Sequence, residues 1–288
     1  MIRQPVMAGH FYEENPKKLE KQIINCFESK FGPGVLPSKR KNKRIVGVIA
    51  PHAGYVFSGP CAVWAYKEIA EAEFPEVYIM LGLSHSGKKS CISLSDWETP
   101  LGIVKNDTEF GKLIMKNAGL KNDEQTHLGE HSIEVQLPFL QFASKDRIKD
   151  LRICPIIISP GTPYEEIAKG IDKTINQTGK NAVIIASSDF THYGLNYGFF
   201  PFTENIKENM KKFDAKAIEH IKNLDDKGFL KYVFDNDATI CGAYPIAALL
   251  SLAKYFDAKK AILQHYYTSG DIINDYSSAV GYASIILE

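Results

Sequence analysis

A single α/β domain with a largely parallel or mixed central sheet flanked by helices is the fold class this sequence predicts, over residues 1–288. Three observations predict it. Short, continuous apolar runs rich in β-branched residues recur along the chain, as strands buried on both faces require. Stretches with apolar residues at 3, 4 and 7 spacing separate them, the pattern of helices that bury one face. No linker-like segment divides the chain, and 288 residues can bury roughly three quarters of their unfolded surface.

The elements follow in order. After the Gly32-Pro33-Gly34 turn comes a basic run, Lys39 to Arg44, which reads as a solvated loop ahead of the first core strand. Ile45 to Ala50 is that strand, broken at Pro51. Ser58 to Ala72 is helical, with Ala62, Ala65, Tyr66 and Ile69 on one face, and Val77 to Leu81 is a second strand ending at Gly82. Strand, helix, strand makes a βαβ unit and therefore part of a parallel sheet. Glu109–Asn117 and Ser132–Phe142 follow as helices, the latter with Pro138 as a kink or stop. Ile153–Ile158 and Ala182–Ala186 are strands on either side of a helix over Tyr164–Asn176. Thr162 as cap, Pro163 at the first position and Glu165-Glu166 in the first turn mark its start. Helices over Thr203–Ile221 and Ala243–Phe256 then lead to closing strands at Lys260–Tyr267 and Ser277–Leu287.

Composition narrows the function classes. Lys+Arg and Asp+Glu are both 34, so no basic excess marks a nucleic-acid partner or a polybasic membrane anchor. Five cysteines, an odd number without a C-x-x-C pair, argue for a cytoplasmic chain rather than a disulfide framework. The N-terminal residues lack a signal-peptide pattern, and no apolar stretch is long enough to span a bilayer. Walker A, strand-linked G-x-G-x-x-G and G-x-S-x-G motifs are all missing, which removes support for nucleotide hydrolysis and common serine-hydrolase chemistry.

The chemistry is expected at the strand exits. Pro51-His52-Ala53-Gly54 follows the first strand, Leu83-Ser84-His85-Ser86-Gly87 the second, and Ser188-Asp189-Phe190-Thr191-His192 the Ala182 strand. In a parallel sheet such exits share one edge, where ligands bind, so these histidines should converge on one crevice. Cys241, in Ile240-Cys241-Gly242 just before an apolar helix, is a fourth candidate. A helix N-terminus lowers a thiol pKa, so Cys241 is expected as a thiolate near neutral pH. Cys26, Cys61, Cys91 and Cys154 fall inside apolar patterns and read as small buried hydrophobes. His127-Leu128-Gly129-Glu130-His131 matches the inverted zinc-peptidase motif, but Gly129 interrupts the regular helix that motif needs. His131, followed by Glu134, is expected to line the site all the same.

With these residues in view, the sequence resembles the Memo family over nearly its whole length. The matching segments are Pro5 to Tyr12, Ala50 to Tyr55, Gly82 to His85, Glu130 to Glu134, Ser187 to His192 and Ile240 to Gly242. The resemblance implies a fold similar to LigB-type class III extradiol dioxygenases, which are non-haem iron enzymes. Carried over by position, it implies a metal trio of His52, His85 and Cys241, with His192 as the acid/base group. Asp189 is expected to support the His192 loop, close enough to orient its imidazole. Imidazole and thiolate suit iron or copper, with zinc a further fit. Cys241 replaces the dioxygenases' carboxylate, which argues against ordinary ring cleavage. The resemblance also implies a pathway shared with radical-SAM and AMMECR-type proteins, and a small-molecule substrate.

Three functions stay open at this point. One is a metal-dependent oxidoreductase. Another is a non-catalytic binding or adaptor protein that keeps the cleft. The last is a metal-free hydrolase or transferase with Cys241 as nucleophile and His192 or His131 as base.

Overall fold

The apolar runs become strands whose successive side chains enter two different cores. The computed structural model describes residues 1–288. In chain order its strands are β1 (Ile2–Arg3), β2 (Gly47–Ala50), β3 (Val77–Gly82), β4 (Cys91–Ile92), β5 (Asp96–Thr99) and β6 (Gly102–Asn106). Then come β7 (Arg152–Ile157), β8 (Ala182–Ser187), β9 (His192–Gly194), β10 (Ala261–Thr268) and β11 (Ser278–Leu287). The helices are α1 (Pro16–Glu28), α2 (Tyr55–Glu71), α3 (Thr108–Ala118), α4 (Glu124–Leu128) and α5 (Leu137–Ala143). They continue as α6 (Tyr164–Thr178), α7 (Ile206–Lys222), α8 (Asp226–Asp235), α9 (Ala243–Tyr255) and α10 (Ser269–Ile273).

All strands join one mixed sheet, ordered β1-β5-β6-β7-β3-β8-β2-β11-β10, with β4 beside β7 and β9 beside β11. The centre, from β6 to β2, is parallel. The strands β11 and β10 extend it antiparallel, and β5 runs antiparallel to β6. Alternation sorts the side chains. Ile49, Ile79, Leu81, Ile184 and Ala186 pack on one face with Ile114, Ile171 and Leu249 of α3, α6 and α9. Val48, Ala50, Tyr78, Met80 and Ile185 pack on the other with Ile23, Tyr66 and Phe139 of α1, α2 and α5. A strand covered on both faces must be apolar throughout, which is why these runs lack polar alternation.

Several boundaries differ from the sequence expectation for physical reasons. Helix α2 begins at Tyr55, ahead of Ser58, although it contains Pro60. The carbonyl that Pro60 leaves unpaired belongs to Val56, which is exposed and can turn to water. Pro138 opens α5 after a 3₁₀ turn at Glu134–Gln136 instead of kinking one long helix. Thr162 does not cap α6; its hydroxyl bonds Ser90 Oγ, and Pro163 stands at the cap position. Helix α7 starts at Ile206, after the expected Thr203. The elements α1, α4, α8 and the β5–β6 hairpin go beyond those expected. The basic run ahead of β2 lies at the surface as expected, paired with acids: Lys41 with Glu71, Lys43 with Glu68 and Arg44 with Glu73.

The N-terminal segment is tied across the edge where the central parallel strands end. Arg3 and Glu134 form a fully buried ion pair at 2.8 Å, and Glu134 also accepts from Tyr12 Oη and the Val6 and Met7 amides. Arg3 donates onward to the His127 and Glu130 carbonyls. This clamp brings Phe11 over the cleft described next.

Candidate metal centre

Strands β3, β8 and β2 are neighbours in the sheet, so their exits meet at one edge. His85 leaves β3, Asp189 leaves β8, His52 leaves β2, and His192 opens β9. Cys241 arrives from the far side, just ahead of α9. Its approach depends on Gly242, whose amide donates to Ser188 Oγ at 3.0 Å. A Cβ at Gly242 would lie 2.4 Å from the Ser187 carbonyl oxygen, so no larger residue fits without displacement. Gly82 does the same for the 130–133 segment, since a Cβ there would meet Ile133 at 2.5 Å.

One ligand atom each from His52, His85 and Cys241 lies within 4.8 Å of the others. The surrounding hydrogen bonds fix the tautomers. Ser187 spends its one hydroxyl proton on the Ser132 carbonyl at 2.6 Å. It must therefore accept from His52 Nδ1 at 2.9 Å, as it does from Gln136 Nε2 at 2.7 Å. His85 Nδ1 faces the Glu130 carboxylate at 2.9 Å and donates to it. His192 Nδ1 sits between the Phe190 and Thr239 carbonyls, at 3.0 and 2.9 Å, and must also donate. All three rings thus carry their proton on Nδ1 and present the Nε2 lone pair. For His52 that nitrogen stands 3.4 Å from Cys241 Sγ.

Burial sets the charges. It holds His52 well below the ordinary imidazole pKa, and the neighbouring His85 and His131 rings add to the effect. His131 is lowered for the same reasons. Glu130, despite its burial, is held well below the carboxylate range by His85 and by the Ser132 and His85 amides, so it is ionised. Burial pushes Asp189 up, against the lowering by His192 and by the His52 amide. Burial also pushes the Cys241 thiol well up, and the Asp189 carboxylate adds to this. That overturns the expected thiolate. Desolvation favours the neutral thiol, and a bound cation would favour loss of its proton.

The donor set fits a transition-metal ion. It offers two imidazoles with free Nε2 atoms and one sulfur, while hard cations such as magnesium or calcium need oxygen ligands. Glu130 and Ser187 complete the pattern in which a ligating imidazole donates its other N–H to a fixed acceptor. His192 groups with Asp189 and Cys241 within the same 4.8 Å, and His131 with His85 and Glu130. Above these residues opens a cavity of about 430 Å³, lined by His52, His85, His131, Asp189 and His192 and walled by aromatic and aliphatic side chains.

The strand-exit residues, His131 and Cys241 come together as the sequence led one to expect. Two details differ. Asp189 makes no hydrogen bond to His192; it accepts from the His52 amide at 2.8 Å and so ties two exit loops together. Glu134 turns away from the site to hold the N-terminal segment. As the interrupting Gly129 led one to expect, His127 and His131 do not share a helix: α4 ends at Leu128, and His127 is wholly buried against Trp97. The sequence reading missed Glu130, Ser187 and Gln136 as supporting residues. For Glu130 the one available signal was an acid between two histidines at the edge of an apolar segment.

The other free cysteines, Cys26, Cys61, Cys91 and Cys154, are buried as expected. No helix is long and apolar enough to cross a membrane.

Comparison with known proteins agrees with the resemblance. The Memo-like protein family matches residues 3–286. A MEMO1 family protein of Methanopyrus kandleri is 39% identical over 99% of both chains. One from Sulfurisphaera tokodaii is 42% identical, again over 99% of each. Among solved structures, an uncharacterized protein of Escherichia coli K12 shares the fold, with a TM-score of 0.55 at 11% identity. That match covers 85% of this chain and 100% of the other. On a family match over essentially its whole length and relatives near 40% identity, the chain belongs to the Memo family.

Proposed function

We propose that this chain is a redox protein that holds one transition-metal ion, iron or copper, on His52, His85 and Cys241 and acts on a small molecule in the adjoining cleft. The observation that carries this reading is the convergence of three donors within 4.8 Å, with both imidazoles set to present Nε2. Such an ion, when bound, supplies electron transfer and polarises an oxygen-bearing ligand.

The chain's own residues do the rest. His192, anchored through Nδ1, keeps Nε2 free to take or give a proton in the cleft. Asp189 positions the His52 and His192 loops. His131 stacks on His85 with ring centroids 4.3 Å apart and itself packs edge-on against Phe11. The third donor is a sulfur, where extradiol enzymes use a carboxylate. A thiolate donates more charge and is itself open to oxidation, so catechol cleavage should be absent or very slow.

Metal analysis tests the reading. The wild type should carry about one ion per chain, and His52→Ala or Cys241→Ala should lose it. His192→Ala should retain the ion while losing whatever activity is found. Unchanged metal content in His52→Ala and Cys241→Ala would refute the assignment.

A second reading draws on one contact, the 3.4 Å approach of Cys241 Sγ to His52 Nε2, which resembles a nucleophile–base pair. Its electrostatics are unfavourable. The thiol is pushed up and the imidazole down, opposite to the ion pair that such catalysis needs. Thiol alkylation by iodoacetamide separates the two readings. Rapid modification of metal-free Cys241 at neutral pH would favour the nucleophile.

A further inference from the structure

Helix α7 carries an acid in the middle of its buried stripe. Met210, Asp214, Ala217, Ile218 and Ile221 are its buried residues, at the spacing of one helix face, and Asp214 is wholly enclosed. Its carboxylate accepts from the Thr191 amide at 3.2 Å, from the Thr191 hydroxyl, and from Tyr266 Oη at 2.7 Å. All three donors are uncharged, so the anion is held by hydrogen bonds alone, an arrangement that costs stability. Burial pushes its carboxyl up to about 6, which leaves it ionised at neutral pH. Gly281 makes room for it, since a Cβ there would lie 2.3 Å from Asp214 Oδ2.

The Thr191 amide belongs to the same peptide unit as the Phe190 carbonyl, and that carbonyl accepts from His192 Nδ1 at 3.0 Å. The unit is trans, so its N–H and C=O point in opposite directions. One end therefore rests on Asp214 and the other on His192. Its neighbours are pinned as well. The Phe190 amide donates to the Gly281 carbonyl at 2.8 Å, and the Gly281 amide to the Thr191 carbonyl at 2.9 Å. These bonds keep the plane between them from turning over.

Resting on His192 as the proton-handling group of the cleft, we propose that Asp214 is a positioning residue that acts on His192 through the Phe190–Thr191 peptide unit. The carboxylate polarises the N–H, the peptide passes this to its carbonyl, and the carbonyl draws more strongly on Nδ1–H. Nε2 gains basicity in return. No proton moves along this relay. Nδ1 keeps its own, a proton arriving from a ligand stays on Nε2, and the positive charge that results faces a negative one across the peptide unit. Asp214 thus does for His192 what Glu130 does for His85, at one peptide's remove.

NMR of protein with isotope-labelled histidine, loaded with diamagnetic zinc and held at mildly alkaline pH, tests this. Zinc content is measured on the same samples. In the wild type the His192 Nδ1 proton should lie at low field and exchange slowly. Asp214→Asn keeps the shape and removes a buried charge, so it should fold. There the Nδ1 proton should move upfield and exchange about tenfold faster. Zinc content and the protection of the β9 backbone amides should stay as in the wild type. Tyr266→Phe leaves the carboxylate to the Thr191 donors alone and should move the same proton downfield. If Asp214→Asn does not fold, the direction of that second shift decides. An unchanged Nδ1 signal in either variant, or a wild-type His192 with its proton on Nε2, would overturn the inference. So would loss of β9 protection in step with the faster exchange, the mark of a merely structural acid. Failure to take up zinc would refute the metal centre and leave the relay to be read from the same spectra.

Discussion

At the scale of single residues, the site is built by protons placed on Nδ1. Glu130 is the clearest case, because one carboxylate accepts from the His85 ring and from the His85, His131 and Ser132 amides. Glu130→Gln keeps the shape but removes the charge that fixes the tautomer, and should weaken metal binding roughly 10- to 100-fold. Competition with a chelator measures this, and an unchanged affinity would show Glu130 to be dispensable. His127 offers a separate test away from the centre. Both its ring nitrogens are buried without a hydrogen-bond partner, and burial lowers its pKa from 6.5 to about 4. As pH falls below 6.5 the unfolded chain takes up this proton before the folded one does. The stability present above 6.5 is therefore lost progressively towards pH 4, at about 3 kcal/mol for a shift of this size. His127→Phe should remove about that much from the fall in unfolding free energy between pH 7 and 4. Urea titrations at the two pH values check it, and an unchanged slope would refute it. His52, His85 and His192 were legible in the sequence because each lies in the segment that leaves an apolar run. Glu130 and Ser187 were not, since their roles consist of contacts with residues distant in the chain.

At the scale of elements, small residues decide where the donors stand. Gly242 lets the start of α9 press against the end of β8, and this sets the Cys241 sulfur 3.2 Å from the Asp189 amide that donates to it. Gly242→Ala places a methyl against the Ser187 carbonyl. It should cost about 1–3 kcal/mol of stability and displace the thiol, lowering metal affinity as well. Thermal unfolding and metal titration read the two effects. A variant that keeps wild-type stability and affinity would show that α9 tolerates the shift. Apolar periodicity found the central strands and helices α3, α6 and α9 because two packed faces demand it. It missed the β5–β6 hairpin, whose outer residues such as Ile103 are exposed and whose polar Thr99 is buried. It also misjudged Pro138, since proline at a helix start and proline as a stop look alike until the preceding turn is known.

At the scale of the whole molecule, strand order turns scattered motifs into a site. Strand β8 lies between β2 and β3, so the loops bearing His52, Asp189 and His85 become neighbours although β8 comes much later in the chain. Antiparallel β11 then supplies Val280 and Tyr282 to the wall of the cleft. The parallel centre was readable from the recurring βα pattern. The insertion of β8 between β2 and β3 was not, because it depends on which pairings bury both faces of all three strands. The central claim is that one ion sits between two imidazoles and one sulfur, and X-ray absorption at the metal edge of protein loaded with one equivalent tests it most directly. The account predicts one sulfur scatterer at roughly 2.3 Å with nitrogen scatterers near 2.0–2.1 Å, as in thiolate–imidazole zinc sites. It also predicts that the sulfur disappears in Cys241→Ser. A shell of nitrogen and oxygen alone in the wild type, or a sulfur that persists in Cys241→Ser, would contradict it.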